Sequence, residues 1–407
     1  MKLKNLAILV ILAVLLAGLA YYSAQKQKPS RAPSAIGAKV LPNLDVNRVG
    51  KLTITSKEGV TTVARSKDQW IVASRFNYPA NFDKVADSVR ELSELKIGQT
   101  VNVTPDRLAD FKLVAPAASG GKDAAGAGAL LELRDEKDGL LSSLLIGKGF
   151  MRQTGGQPME AMLGMGGYSD GQYVQTCDGK VYLVSKSLDR LTESAKSWLA
   201  DGFINVNSTD IREIEVSGHD RAPVKLARAK DGDSFALSDL RPDEGNPDSA
   251  KISQMTGALN NLGFDDVANP SLTLKETGLD RPIAFKATTR DGLIYNIRIG
   301  NALTNDTFDR YFTVSVTNEP AAEKPAPEDD KKDEKAALDK KNIIEQAAEL
   351  NGKFSAWIYV MKSYRTEPML FTRADLIKKP EPPKEGQTNA PAIKAEEKKS
   401  SKNKIKK

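Results

Sequence analysis

Short runs of apolar and β-branched residues, broken by turn residues, dominate most of the chain. Val49 to Thr55 and Thr61 to Arg65 flank the turn Lys57-Glu58-Gly59, and Trp70 to Ala73 follows as a third short strand. Asn81 or Asp83 caps a predicted helix from Lys84 to Leu95, because Val85, Val89, Leu92 and Leu95 recur at three- and four-residue spacing. Leu130 to Leu133 and Leu140 to Ile146 flank Asp138-Gly139, and Tyr173 to Thr176 and Lys180 to Val184 flank Asp178-Gly179. An Asp-Gly pair between such runs signals a hairpin. A second helix is expected from Leu188 to Leu199.

The same order then recurs. Strands are predicted at Ile211 to Val216, Val224 to Ala227 and Phe235 to Leu237, followed by a helix from Ser249 to Leu262. Further strands are predicted at Ile283 to Thr288, Leu293 to Ile299, Tyr311 to Val316 and Ala356 to Met361. Short identities track this order. Ala64-Arg65-Ser66-Lys67-Asp68 matches Ala227-Arg228-Ala229-Lys230-Asp231, and Leu113-Val114-Ala115-Pro116 matches Leu279-Asp280-Arg281-Pro282. Asp138-Gly139-Leu140 matches Asp291-Gly292-Leu293, Ile146-Gly147-Lys148 matches Ile299-Gly300-Asn301, and Val184-Ser185-Lys186-Ser187 matches Val360-Met361-Lys362-Ser363. Matches recurring in one order indicate a duplicated unit. Two stretches of loop composition disturb the spacing: Ala117 to Ala129, and the charged, Pro-flanked Glu319 to Lys340. The expected fold is α+β: two tandem repeats of antiparallel sheet, with helices on one face, and without the strand–helix alternation of a doubly wound sheet.

The N-terminus is of another kind. Lys2 and Lys4 precede an uncharged run from Leu6 to Tyr22, at the short edge of what spans a bilayer core of about 30 Å. Gly18-Leu19-Ala20 also suits a cleavage site, but the unbroken apolar run favours a retained signal anchor. The expected organisation is therefore an anchor over 1–23, a linker over 24–40, repeat one over 41–202 and repeat two over 203–377. Repeat two carries the charged insertion at about 319–350, and a tail covers 378–407. Single-pass insertion, with the bulk of the chain outside the cytoplasm, is the expected arrangement.

Charge and composition narrow the chemistry. The net charge of +6 resides in the tail, where ten Lys and four Glu follow from Lys378 onward, so the rest of the 407-residue chain is neutral overall. No basic face for nucleic acid is indicated. One cysteine, Cys177, excludes an internal disulfide or a cysteine metal cage, and one histidine, His219, excludes histidine-rich metal sites. Gly147-Lys148 lacks the glycine and hydroxyl of a phosphate loop, and the glycines 164, 166 and 167 precede no helix. Ser93 and Lys96 have a Ser-x-x-Lys spacing but no Lys-Thr-Gly partner. His219 reads as a surface turn residue, Cys177 as an inert turn-edge thiol, Asp265-Asp266 as a turn after a helix, and Glu328-Asp329-Asp330 as solvated linker. Trp70 and Phe235 hold equivalent repeat positions, which favours a core role over ligand stacking.

An N-terminal anchor, a strand pair leading to Trp70, and Asn77-Tyr78-Pro79-Ala80 before an amphipathic helix are followed by Leu145 to Lys148, Val181-Tyr182-Leu183-Val184, Trp198 and Phe203. In this combination, over most of 41–316 and again near Trp357, the chain resembles the DUF4340 family. What the resemblance implies is a single-pass protein of the bacterial inner membrane, with the bulk of the chain in the periplasm or extracytoplasmic space, associated with ABC-type, gliding-motility-like export permeases and ATPases, with no catalytic residue set and no cofactor. The expected function is thus that of a non-catalytic accessory protein acting through protein contacts. The alternative is a ligand-binding module with a cleft between the repeats, for which Trp70, Tyr78 and Phe235 are the aromatic positions.

Overall fold

The computed structural model describes residues 35–116, 125–151, 169–230, 232–303, 306–319 and 330–378. The first sheet is built from β1 (Lys51–Ser56), β2 (Gly59–Ser66), β3 (Gln69–Val72), β4 (Tyr78–Pro79), β5 (Ile97–Val101), β6 (Ala129–Arg134), β7 (Leu140–Met151), β8 (Ser169–Thr176) and β9 (Val181–Val184). The second contains β10 (Ile211–Gly218), β11 (Arg221–Ala227), β12 (Ala236–Leu237), β13 (Asp266–Val267), β14 (Ile283–Thr289), β15 (Leu293–Leu303), β16 (Asp306–Asn318) and β17 (Tyr359–Lys362). Among the described residues every pairing within these sheets is antiparallel. The helices are α1 (Phe82–Glu94), α2 (Ser249–Thr256), α3 (Leu274–Thr277), α4 (Asp330–Phe354) and α5 (Ser363–Thr366).

The strand orders are β4-β3-β2-β1-β6-β7-β8-β9-β5 and β12-β11-β10-β14-β15-β16-β17-β13. With β4 set aside, the second order repeats the first strand for strand. The correspondence reaches single residues. Val63 pairs with Val72 and Leu226 with Leu237, which places Phe235 at the register position of Trp70. The chain before each main helix is held alike: Asn81 N–H donates to Trp198 O (2.9 Å), and Asp248 N–H to Leu376 O (2.8 Å). Asn81 and Asp248 then cap α1 and α2, their side chains accepting from first-turn N–H groups otherwise without partners.

The repeated glycine motif has a packing cause. β7 carries a register shift between Ile146 and Gly149, and β15 one between Ile299 and Ala302. At these bulges, Gly147 passes under the carbonyl of Phe111 and Gly300 under that of Thr277, each so close that a methyl group would collide. Gly147-Lys148 is therefore part of a bulged strand.

Buried side chains of both sheets form one contiguous apolar core running from Val40 to Leu376. A satellite cluster of Leu113, Leu145 and Val181 is covered by Val101, Val103, Leu108 and Phe111. Packing both sheets into one interior is the main source of stabilisation, at about 25 cal/mol per Å² of apolar surface removed from water.

Several expected elements take another form. Leu188 to Leu199 is two 3-10 turns, Asp189–Leu191 and Ala195–Trp198, rather than a helix. Its apolar positions are still buried, but its end is drawn out to bridge Ala80 with Leu199. The expected helix from Ser249 to Leu262 stops at Thr256, capped by Gly257. Beyond it the backbone pairs with the inter-sheet segment, Ile204 N–H donating to Leu262 O (3.2 Å) and Val206 N–H to Leu259 O (3.0 Å). Part of the charged insertion, expected as loop, is the 25-residue α4. Ala, Leu, Lys and Glu are strong helix formers, and Ala347 and Phe354 bury one face of this helix on the core. Asp265 directly precedes β13 and Asp266 opens it, where a turn at the end of a helix was expected. The strands β4, β5 and β13 were not anticipated. Leu6 to Tyr22, the glycines 164, 166 and 167, Glu328-Asp329 and the tail beyond Lys378 lie outside the described residues. Among the described residues no helix is long and apolar enough to cross a membrane.

Candidate functional site

The two sheets meet where β4, an edge of the first, faces β13, an edge of the second. Tyr78 leaves β4 into this seam and is 4% exposed. Its ring meets Trp357 at 4.9 Å, Phe264 at 5.3 Å and Tyr359 at 6.1 Å between centroids, all edge-on. Phe203, from the segment joining the sheets, packs edge-on against Tyr359 (4.6 Å), Phe354 (4.9 Å) and Phe264 (5.1 Å). Edge-to-face pairs of this kind each add about 0.5–1.5 kcal/mol beyond area burial. Burial pushes the Tyr78 hydroxyl up to about 12, and pushes that of Tyr359 upward as well, with Tyr78 adding to the rise. The Tyr359 hydroxyl donates to Phe354 O at 3.2 Å. At the margin of the seam, Arg75 Nε bonds Asp266 Oδ1 at 3.0 Å, a partly exposed pair that ties the β3–β4 loop to β13.

Beside this sealed seam lies an open groove of about 470 Å³. Its rim is polar, formed by Asn81, Lys196, Asp201, Asn205 and Asn261, and Phe203 and Phe264 stand behind it. Asn81 serves the groove and the helix together: its Oδ1 caps α1 and its Nδ2 donates to Asp201 Oδ2 at 3.1 Å. Asn205 Oδ1 accepts from Asn261 N–H at 3.1 Å. Next to the groove, Lys84 Nζ bonds Glu193 (2.6 Å) and Ser197 Oγ (3.0 Å) while lying 4.8 Å above the buried Trp198 ring. Burial alone would raise the Glu193 carboxyl, but bonds from Lys84 and Ser197 outweigh it and hold it below its ordinary value.

The residues singled out in the sequence fall in separate places. Tyr78 is at the seam. Trp70 and Phe235 are half-buried and packed against the core on their own sheets, Phe235 beneath the Arg228 guanidinium at 4.1 Å. They do not line the groove. His219 is an exposed turn residue between β10 and β11, and Cys177 is exposed in the β8–β9 turn. Ser93 donates to Arg90 O on α1. A second, smaller groove of about 270 Å³ lies at Gly147-Lys148. Its two buried polar side chains are satisfied internally: Ser56 Oγ accepts from Glu58 N–H, and Gln172 donates to Gly147 O and Asp189 and accepts from Leu188 N–H. Among the described residues no three His, Cys, Asp or Glu side chains are grouped to hold a metal ion. The groove asparagines were missed because their signal is positional: Asn205 and Asn261 are distant in sequence and meet only through the seam.

A family model described as a domain of unknown function, DUF4340, matches residues 70–282, just over half of the chain. The chain belongs to the DUF4340 family. The DUF4340 match begins in β3 and ends just before β14, so it contains β4, the groove and both copies of the Leu-x-x-Pro turn, Leu113–Pro116 and Leu279–Pro282. No curated protein and no solved structure matches the chain.

Proposed function

We propose that this DUF4340 protein is a membrane-anchored, extracytoplasmic accessory protein without chemistry of its own, working through protein contacts beside an ABC-type exporter of the gliding-motility-like kind. The observation that carries this reading is an uncharged apolar run from Leu6 to Tyr22 joined to a doubled sheet scaffold with a seam packed shut by aromatic rings. Such a body is a rigid platform held near a bilayer, suited to presenting surfaces to a neighbour. The test is purification of the full-length chain from native membranes in mild detergent, beside an exported form lacking residues 1–24. Co-purification of a permease and an ATPase with the full-length chain alone supports docking through the anchor. Co-purification with both forms moves the docking surface to the repeats, and with neither removes the exporter from the reading.

The groove favours a second reading, a binding module for a neutral, hydrogen-bonding envelope ligand such as a glycan or peptide. Asn205 and Asn261 offer carboxamide groups at the junction of two units, a common location for ligand sites. Saturable binding of envelope glycan fragments by calorimetry, lost in Asn205→Ala, is the expected result, and absence of binding to the wild type removes it.

A further inference from the structure

The edge equivalent to β13 occurs a second time in the molecule, and there, among the described residues, most of it has no strand beside it. β13 faces β4 of the other unit across the seam. Its counterpart β5 pairs, among the described residues, with β9 on one side. On its other side only the first rung is used: Gly37 N–H donates to Ile97 O (2.8 Å) and Ile97 N–H to Ala38 O (2.9 Å). The chain then turns away, with Gly37 at φ +84° and Ala38 N–H closing a turn onto Ala35 O (3.0 Å). Gly98, Gln99 and Thr100 are left exposed and Val101 half-buried.

The composition of this edge is unusual for an unpaired strand. From Ile97 to Pro105 there is no charged residue, and from Ile97 to Thr104 no proline; Lys96 and Asp106 stand outside. Free edges are normally blunted by charge, proline or a bulge, because a row of unpaired N–H and C=O groups is a template for another strand. The single bulge of β5 lies between Ile97 and Gln99, at the end already taken by Gly37 and Ala38. The rest is regular.

We infer that the bare side of β5 pairs with β5 of a second copy of this chain, antiparallel and about a two-fold axis near Thr100. Two observations select a second copy. An uncharged antiparallel edge is its own complement, as an isologous two-fold contact requires. The window from Gly98 to Asn102 is centred on Thr100 and clears the rung occupied by Gly37 and Ala38. Thr100 would face Thr100 of the partner, a favourable cross-strand pair, and the two sheets would run on as one.

The experiment uses the full-length chain in detergent, with its mass measured free of detergent, and site-directed cross-linking in a Cys177→Ser background. The wild type is expected at twice the mass of one chain. Thr100→Cys should form an inter-chain disulfide on mild oxidation, and Leu140→Cys, exposed elsewhere on the sheet, should not. Thr100→Lys sets like charges opposite one another at an exposed position that tolerates the substitution in the monomer, so the dimer dissociation constant should rise about tenfold or more. A monomeric wild type at tens of micromolar overturns the inference. So does a dimer indifferent to Thr100→Lys and uncross-linked through Thr100→Cys, which would use another surface.

Discussion

At the residue scale, Tyr78 and the paired glycines make the sharpest claims. Tyr78 packs against three aromatic rings with almost no exposure, so Tyr78→Ala removes a large buried side chain and should cost about 3–5 kcal/mol in chemical denaturation. Tyr78→Phe keeps the ring contacts and should cost under about 1.5 kcal/mol near neutral pH. The two differ in alkali. An unfolded tyrosine ionises near pH 10, whereas burial pushes the folded Tyr78 up to about 12. A raised folded value means its contribution is complete below about pH 10 and is lost as pH climbs through about 12. Stability measured across that window should therefore fall less steeply in Tyr78→Phe than in the wild type. Gly147→Ala and Gly300→Ala should each be destabilising by about 1–3 kcal/mol, because the added methyl meets the Phe111 or Thr277 carbonyl oxygen. A phosphate-loop role for Gly147-Lys148 would predict loss of nucleotide binding; thermal melts of the two variants side by side should instead show matching losses, including at Gly300 where no lysine follows.

Among the elements, helix starts are the places where the two units can be compared on equal terms. Asn81→Ala and Asp248→Ala each remove an N-cap, and each should cost about 1 kcal/mol by urea titration. Asn81→Ala should cost the more, since it also breaks the bond to Asp201. The elements also show what the sequence made legible. Hairpins with Asp-Gly turns and the amphipathic α1 were visible because their signals are local: turn chemistry and a three- and four-residue apolar period. The strands β4, β5 and β13 were not visible, being two to five residues long and defined by what they pair with. Leu188 to Leu199 misled for the same reason. Its apolar spacing is helical, yet Leu199 is needed to bridge Ala80, and tertiary pairing overrode the local preference. The charged insertion misled in the opposite direction, because its composition suits a solvated linker and a helix alike until Ala347 and Phe354 find a core to cover. At the candidate site, Tyr78 was legible as an aromatic position, but its company was not: Phe264 comes from one distant stretch of chain and Trp357 and Tyr359 from another.

For the whole molecule, the question is how the two units differ and why they act as one body. The backbone pairing answers the first part. Ala200 N–H donates to Pro79 O, and its counterpart Lys378 N–H donates to Asn246 O, so the residue corresponding to Tyr78 is Gly245. The second unit thus has no ring at the position from which Tyr78 reaches across the seam. The contiguous core and the aromatic seam answer the second part. Phe203 joins Phe264, Phe354 and Tyr359 from the segment linking the sheets, and Tyr78 reaches across from the first. Neither sheet can unfold without exposing apolar surface of the other, so the full-length chain should unfold in one transition. Its calorimetric and van't Hoff enthalpies should agree, and tryptophan fluorescence should report the same midpoint as far-ultraviolet circular dichroism. Phe203→Ala removes the ring at the hub of the seam and should cost about 3–5 kcal/mol. Because that loss falls on the coupling between units more than on either sheet, the two probes should then separate into distinct midpoints. Two transitions in the wild type would mean that the seam is a contact between independent units, and the groove beside it would then open and close with their relative motion.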